Sequence, residues 1–319
     1  MSEIMSNFAP YILNAMMTTT DKNNKERPLI LICNDDGYQA KGINELVGML
    51  RDMADLLVCA PDSGRSGYAC AFSATDPLRL QLVSSEEGLQ VWKCNGTPVD
   101  CVKLALDRLL QGRRPDLVLG GINHGDNASV NTHYSGTMGV VLEGCMKYLP
   151  SVAFSLCDFR PDADFSPLRP YVREICSRVL ANGLPKGVCL NVNFPARESV
   201  ECRVESVEFA TAVDSEDRRA VANSPLSTLH SPLSTLNSKL YKGVRLCRMG
   251  AGSWTHEIET CHHPRGYDYH WMVGTYRNDE PEAEDTDRWA LDHGYVAITP
   301  TRIDVTAYEC FDALKDYCQ

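Results

Sequence analysis

The stretch that decides the fold is "LILICNDDGYQAKGINELVGML", Leu29 to Leu50. Leu29–Cys33 is an unbroken apolar run, the mark of a strand buried on both faces. Beyond it Ile43, Leu46, Val47, Leu50 and Met53 recur at helical spacing and form one apolar face. Between the two elements stand Asn34-Asp35-Asp36-Gly37. Two adjacent carboxylates repel, and desolvation at the end of a buried strand raises the cost further, so the pair calls for a cation.

Working outward, short apolar runs keep alternating with helical patterns. "DLLVCAPD" supplies a second strand ending at Pro61, and "LRLQLV" with "LQVWKCNG" reads as a hairpin-like section. "TPVDCVKLALDRLLQ" is a helix with a well-marked start: Thr97 at the N-cap, Pro98 at the first helical position and Asp100 at the third. "PDLVLGG" and "SVAFSL" are strands on either side of the helix "SGTMGVVLEGCMKYL", and "KGVCLNVNFP" is a further strand. The alternation predicts an α/β fold, a Rossmann-like doubly wound and mostly parallel sheet with a smaller, β-rich C-terminal part.

Three regions follow from this reading: a frayed leader over 1–28, a catalytic core over 29–200, and a C-terminal part over 201–319. The last returns to the sheet through "HGYVAITPTRIDVTAY" and ends in a helix, "ECFDALKDYC". It contains a variable insert at about 214–239, where "SPLSTLH" is followed by "SPLSTLN" (Ser224 to Asn237). Proline breaks a heptad helix, so the repeat reads as a duplicated surface loop.

Composition narrows the partners. The chain has 319 residues, 44% of them hydrophobic and 23% charged, which is enough for a substantial core. Lys and Arg number 31 against 42 Asp and Glu, and the net charge of −11 argues against broad capture of nucleic-acid polymers or anionic membranes. An anionic substrate must be held by a local device. The first twenty residues lack a basic n-region, and Pro10 and Asn14 interrupt their apolar part, so the expected location is cytoplasmic. The 14 cysteines are scattered without a C-x-x-C pair, and Cys33, Cys59 and Cys189 lie in apolar runs, as buried free thiols do.

Polar clusters stand at the carboxyl ends of three predicted parallel strands: Asn34 to Gly37, Asp62-Ser63-Gly64-Arg65-Ser66-Gly67, and Gly121-Ile122-Asn123-His124-Gly125-Asp126-Asn127. The crevice outside such strand ends is where ligands bind in open α/β sheets. Each cluster alone is also ordinary turn chemistry. Together they offer two carboxylates, a hydroxyl and amide carbonyls, a hard-oxygen set suited to one divalent ion, Mg²⁺ or Mn²⁺. Ser135-Gly136-Thr137 opens the next helix, whose free N–H groups and positive dipole end suit a phosphate, unless Ser135 is only an N-cap. Arg65 and His124, with the amides Asn34 and Asn127, complete the residues near enough to touch phosphate.

These motifs resemble the SurE survival-protein family of metal-dependent nucleotidases. The resemblance is carried by "NDDGYQAKGI", "APDSGRSG", "GTPVDCVKLAL", "PDLVLGGINHGDN", "YSGTMGVVLEG", "LNVNFP" and "GYVAITP", from about Leu29 to Pro300. It implies hydrolysis of nucleoside 5′- or 3′-monophosphates, with the ion at Asp35, Asp36, Ser66 and Asn123. It also implies a C-terminal part that forms a homodimer or homotetramer. Its start near Leu29 offers Met16 or Met17 as alternative initiators. "PRGYDYHWMVG" is similar to an aromatic segment of the family, and its Tyr267, Tyr269 and Trp271 either stack on a base or pack on a strand face.

The mechanism expected is attack by an activated water, with Asp35 as first ligand, Asp36 orienting the water, and the Ser135–Thr137 helix end and Arg65 taking up charge. A covalent aspartyl-phosphate route places its second Asp two positions after the first, whereas Asp35 and Asp36 are adjacent. A signalling receiver module needs an acceptor Asp at a later strand end, where this chain has Ser66 and Asn123. A nicotinamide-dependent dehydrogenase needs a glycine fingerprint after the first strand, which is absent.

Overall fold

The computed structural model describes residues 27–110, 112–196 and 240–315. Its first strand, β1 (Leu29–Cys33), is buried at every position. The helix α1 (Lys41–Leu50) buries Gly42, Ile43, Leu46, Met49 and Leu50, while Val47 and Met53 pack at the margin of the core. β2 (Asp55–Pro61) follows and pairs parallel with β1. The hairpin-like section is an antiparallel pair, β3 (Leu80–Glu86) and β4 (Leu89–Cys94).

α2 (Pro98–Leu104) starts where expected. The Thr97 hydroxyl accepts from the Asp100 N–H, and the Asp100 carboxylate accepts from the Thr97 N–H, a complete capping box. We predict that Thr97→Ala lowers stability by about 1 kcal/mol, read as a shift in the urea midpoint at unchanged slope. A π-helical turn, Ala105–Leu109, extends the helix.

β5 (Leu117–His124) runs three residues past "PDLVLGG", so the third polar cluster begins inside the strand rather than after it. Its pairing with the next strand shifts register between Gly120 and Asn123. α3 (Gly136–Met146), β6 (Ser151–Leu156), α4 (Arg169–Asn182) and β7 (Val188–Phe194) complete the first half.

The chain re-enters the description at Leu240 with β8 (Val244–Leu246), β9 (Gly252–Thr255), β10 (Ile258–His262), β11 (Asp268–Met272) and β12 (Thr275–Asn278). After these come α5 (Asp287–Asp292), β13 (Val296–Arg302) and α6 (Phe311–Leu314). Nine strands form one sheet in the order β3-β4-β2-β1-β5-β6-β7-β13-β8. It is parallel from β4 through β7, and β13 runs antiparallel to β7. The fold is therefore α/β with a large, mostly parallel central sheet and an added β-rich C-terminal part, in which β10 and β11 form a separate hairpin and β9 pairs with β12.

One C-terminal expectation is corrected. The strand character of "HGYVAITPTRIDVTAY" is realised only over Val296–Arg302. Of "ECFDALKDYC", residues 309–315 are helical, with the α-helical turn Phe311–Leu314 extended by 3₁₀ residues at either end, and the remainder lies outside the described residues. Most of the leader, with Met16 and Met17, and the insert with its repeat lie outside the described residues. Cys33, Cys59 and Cys189 are buried free thiols as expected. No helix among the described residues is long and apolar enough to cross a membrane.

Candidate active site

Asp35 stands two residues past the end of β1 and is only 4% exposed. Its Oδ1 accepts from the Thr137 hydroxyl at 2.5 Å, and the Gly136 N–H also donates to the carboxylate. The first turn of α3 is thus aimed at Asp35, with the positive end of its dipole on a carboxylate. That approach requires glycine at 136, since a Cβ there would lie 2.6 Å from the Asp35 Cβ. Burial pushes the Asp35 pKa up to about 6; the Thr137 hydrogen bond opposes this, and the charge of Asp36 adds to it. Burial raises the Asp36 pKa as well, against a His124 N–H that donates to its Oδ2 at 3.4 Å.

The second loop is stitched to the first through backbone. Gly37 takes a φ of +100°, the Tyr38 N–H donates to the Pro61 carbonyl at 2.9 Å, and the Arg65 N–H donates to the Asp35 carbonyl at 2.6 Å. These bonds bring 62–67 against the Asp pair, with Ser66 exposed on the loop. The Arg65 guanidinium is directed elsewhere: it donates to the Asn95 carbonyl at 3.1 Å and pairs with Asp62 at 3.6 Å.

From β5, Asn123 donates its Nδ2 to the His124 and Gly125 carbonyls at 3.2 and 2.9 Å, which turns Oδ1 toward the Thr137 hydroxyl, 3.5 Å away. Asp35 and Asn123 therefore share one hydroxyl. Asn34 is wholly buried; its Nδ2 donates to the Gly37 carbonyl at 3.0 Å, while its Oδ1 has no hydrogen-bond partner. The His124 ring packs edge-on against Phe165, with centroids 4.9 Å apart. Ser135 caps α3, its Oγ accepting from the Met138 N–H at 3.0 Å. The helix end expected to hold phosphate is engaged by Asp35 itself.

Asn127 belongs to a buried amide network. Its N–H donates to Asn193 Oδ1 at 2.8 Å, its Nδ2 to Ser155 Oγ at 2.7 Å, and its carbonyl accepts from Asn191 Nδ2 at 2.8 Å. Asn191 and Asn193 occupy alternate positions on β7, so the two amides visible in "LNVNFP" were the signal for this support. A second support escaped the sequence reading altogether. Ser129, at a φ of +52°, donates its N–H to Asp287 Oδ2 at 2.9 Å, and its hydroxyl meets Tyr276 Oη at 2.6 Å. Trp254 Nε1 donates to Asn131 Oδ1 at 2.9 Å. The C-terminal part thereby grips the turn that leads into Ser135.

Tyr267, Tyr269 and Trp271 lie on or beside β11 and are exposed, with ring contacts to His263 and to one another. They pack on no core. Among the described residues no group of three or more His, Cys, Asp or Glu side chains is arranged to hold a metal. Asp35 and Asp36 are the acidic side chains at this point of the sheet edge, with amide and hydroxyl oxygens around them. This set fits a hard divalent cation: a buried carboxylate on Asp35 and a partly buried one on Asp36, both with raised pKa values, the Asn123 Oδ1 close to the hydroxyl that Asp35 holds, and an unpartnered buried oxygen on Asn34.

Comparison with known proteins agrees with this geometry. The family model for survival protein SurE matches residues 30–219, a span that contains all these strand-end loops. A 5′-nucleotidase SurE of Phocaeicola vulgatus is 50% identical over 92% of this chain and 98% of its own, and one of Cytophaga hutchinsonii is 39% identical over 91% and 96%. The crystal structure of a SurE protein from Aquifex aeolicus superimposes with a TM-score of 0.68 at 28% identity, over 92% of this chain and all of that one. With the matched span covering more than half of the sequence and relatives aligned over nearly all of it, the chain belongs to the SurE survival-protein family.

Proposed function

We propose that the chain is a phosphomonoesterase that hydrolyses nucleoside 5′- and 3′-monophosphates to nucleoside and phosphate. The observation that carries this reading is the Asp35 carboxylate, buried at a strand end, capped by Gly136 and Thr137 and adjacent to Asp36. The naming of its relatives as 5′-nucleotidases supports the substrate class. Activity on 3′-monophosphates is an extension of that reading.

Asp35, Asp36, Asn123 and Ser66 are the residues to hold one Mg²⁺ or Mn²⁺, which when bound polarises a phosphoryl oxygen and acidifies water. Thr137 and Gly136 fix the Asp35 carboxylate so that it need not reorganise during the reaction. Asp36, whose proton affinity is raised by burial, orients the attacking water and accepts its proton at a carboxylate oxygen. Asn123, held by the Gly125 carbonyl, presents Oδ1 on the same side as Asp35. Arg65, Asn34, Asn127 and the Ser135–Thr137 turn remain as proposed phosphate contacts; to serve, Arg65 must leave Asn95 and the turn must share its donors between phosphate and Asp35. The exposed Trp271 and Met272 on the β10–β11 hairpin support assembly as a homodimer or homotetramer.

The test is release of inorganic phosphate from AMP, GMP, 3′-AMP and p-nitrophenyl phosphate with Mg²⁺, with Mn²⁺ and with EDTA. The expected result is turnover of the nucleotides with either ion and loss of it in EDTA. A folded chain that turns over none of these esters with either ion refutes the proposal.

A further inference from the structure

Phe159 has a placement that the reading so far leaves unused. It lies in the loop after β6, and its side chain is 76% exposed, although the backbone around it is held closely. The Asp158 N–H donates to the Leu156 carbonyl at 2.7 Å, and Asp158 is chelated by the Arg160 guanidinium at 2.7 to 3.1 Å. One edge of the ring rests on Gly125: a Cβ built there would lie 2.2 Å from Cε1. Gly125 in turn accepts from the Asn123 side chain. A contact path therefore runs from Asp35 through Thr137 and Asn123 to Gly125 and this ring. Asn123 and Gly125 are two residues apart, at most about 7 Å between Cα atoms, the scale of the sugar that separates a phosphate from a base.

We propose that Phe159 is the platform on which the nucleobase stacks when the phosphate lies at Asp35, Asp36 and Asn123. This rests on the nucleotidase reading and adds a specificity-determining residue to it. A neutral ring accepts any base by its π-face, so the platform favours nucleotides over other phosphate esters without selecting among purines and pyrimidines. The clamp of Arg160 on Asp158 holds the ring ready before substrate arrives. The aromatics of the β10–β11 hairpin, by contrast, have no contact path to Asn123 among the interactions described above.

The test compares AMP with ribose 5-phosphate, the same ester without a base. Phe159→Ala is expected to lower the ratio of kcat/KM for AMP over ribose 5-phosphate about 10-fold or more, through KM rather than kcat. Phe159→Trp keeps the ratio, whereas Phe159→Leu, similar in bulk but without a π-face, loses most of it. A ratio that is unchanged in Phe159→Ala, or an equal fall for both esters, overturns the platform. An unchanged ratio together with an altered elution volume assigns the ring to a contact between subunits, and also overturns it. If the native chain hydrolyses neither ester, it is the nucleotidase reading that fails. Calorimetric titration with AMP then decides the platform alone: binding weakened in Phe159→Ala supports it, and binding that is absent or unaffected overturns it.

Discussion

Asp35→Asn is expected to reduce nucleotide hydrolysis by about 10³-fold or more while making the metal-free protein more stable. The loss has the scale of removing one preorganised electrostatic element from an active site, since the amide keeps the shape of the side chain and forfeits its charge. The gain follows from burial. The folded chain raises the Asp35 pKa to about 6, above the unfolded value of about 4. The folded state therefore binds this proton more tightly than the unfolded state does, and the contribution of Asp35 to stability is greatest below pH ~4. It is lost as pH rises through about 6, and it stays lost at neutral pH. The whole interval corresponds to on the order of 3 kcal/mol. Urea titrations in EDTA should show Asp35→Asn and the native chain alike near pH 4, and the variant ahead by an amount of that order at pH 7. Equal stability at both pH values would show that burial does not strain this carboxylate, and retained turnover would remove it from the site.

Gly42→Ala is expected to destabilise the fold severely. Gly42 lies in the first turn of α1, where the helix crosses β5, and a Cβ there would stand 1.9 Å from the Ile122 carbonyl oxygen. Neither atom belongs to a side chain that can turn away. One is fixed in a helix and the other in the middle of the sheet, so the clash can be relieved only by separating the two layers. A loss above about 4 kcal/mol is expected, a large share of the 5–15 kcal/mol that ordinarily holds a domain together. Gly48, on the exposed side of the same helix, has nothing within 4 Å of a built Cβ. Gly48→Ala should add about 1 kcal/mol through helix propensity alone. Circular dichroism melts of the two variants therefore move in opposite directions; a Gly42→Ala chain that melts like the native one would contradict the close layer packing.

Local signals were legible wherever neighbouring residues create them. Leu29–Cys33 is apolar throughout because parallel strands are covered on both faces, and Thr97, Pro98 and Asp100 mark a helix start by satisfying the first free N–H groups. The meeting of three loops followed from strand order, which is a property of the fold class. What was not legible depends on partners distant in sequence. Nothing near Asp35 says that Gly136 and Thr137, a hundred residues on, will take its carboxylate and so occupy the expected phosphate cradle. Nothing near Arg65 says that Asn95 will hold its guanidinium. The helix α4 is a different case: Tyr171, Val172, Ile175, Cys176 and Val179 show the period plainly, but Pro170 near its start and the polar residues around it obscure the pattern.

The far edge of the sheet allows the chain to vary where it does. β7 and β8 are separated by residues 195–243, yet both lie beside β13, with β1 and β5 on the other side of β6. The connection therefore begins and ends at neighbouring places, with β5 and β6 between it and β1. For a chain closing on fixed ends the entropy grows only with the logarithm of length, so the seven extra residues of the second "SPLSTL" unit cost about 0.2 kcal/mol. Length added between two such fixed ends is therefore close to neutral for folding.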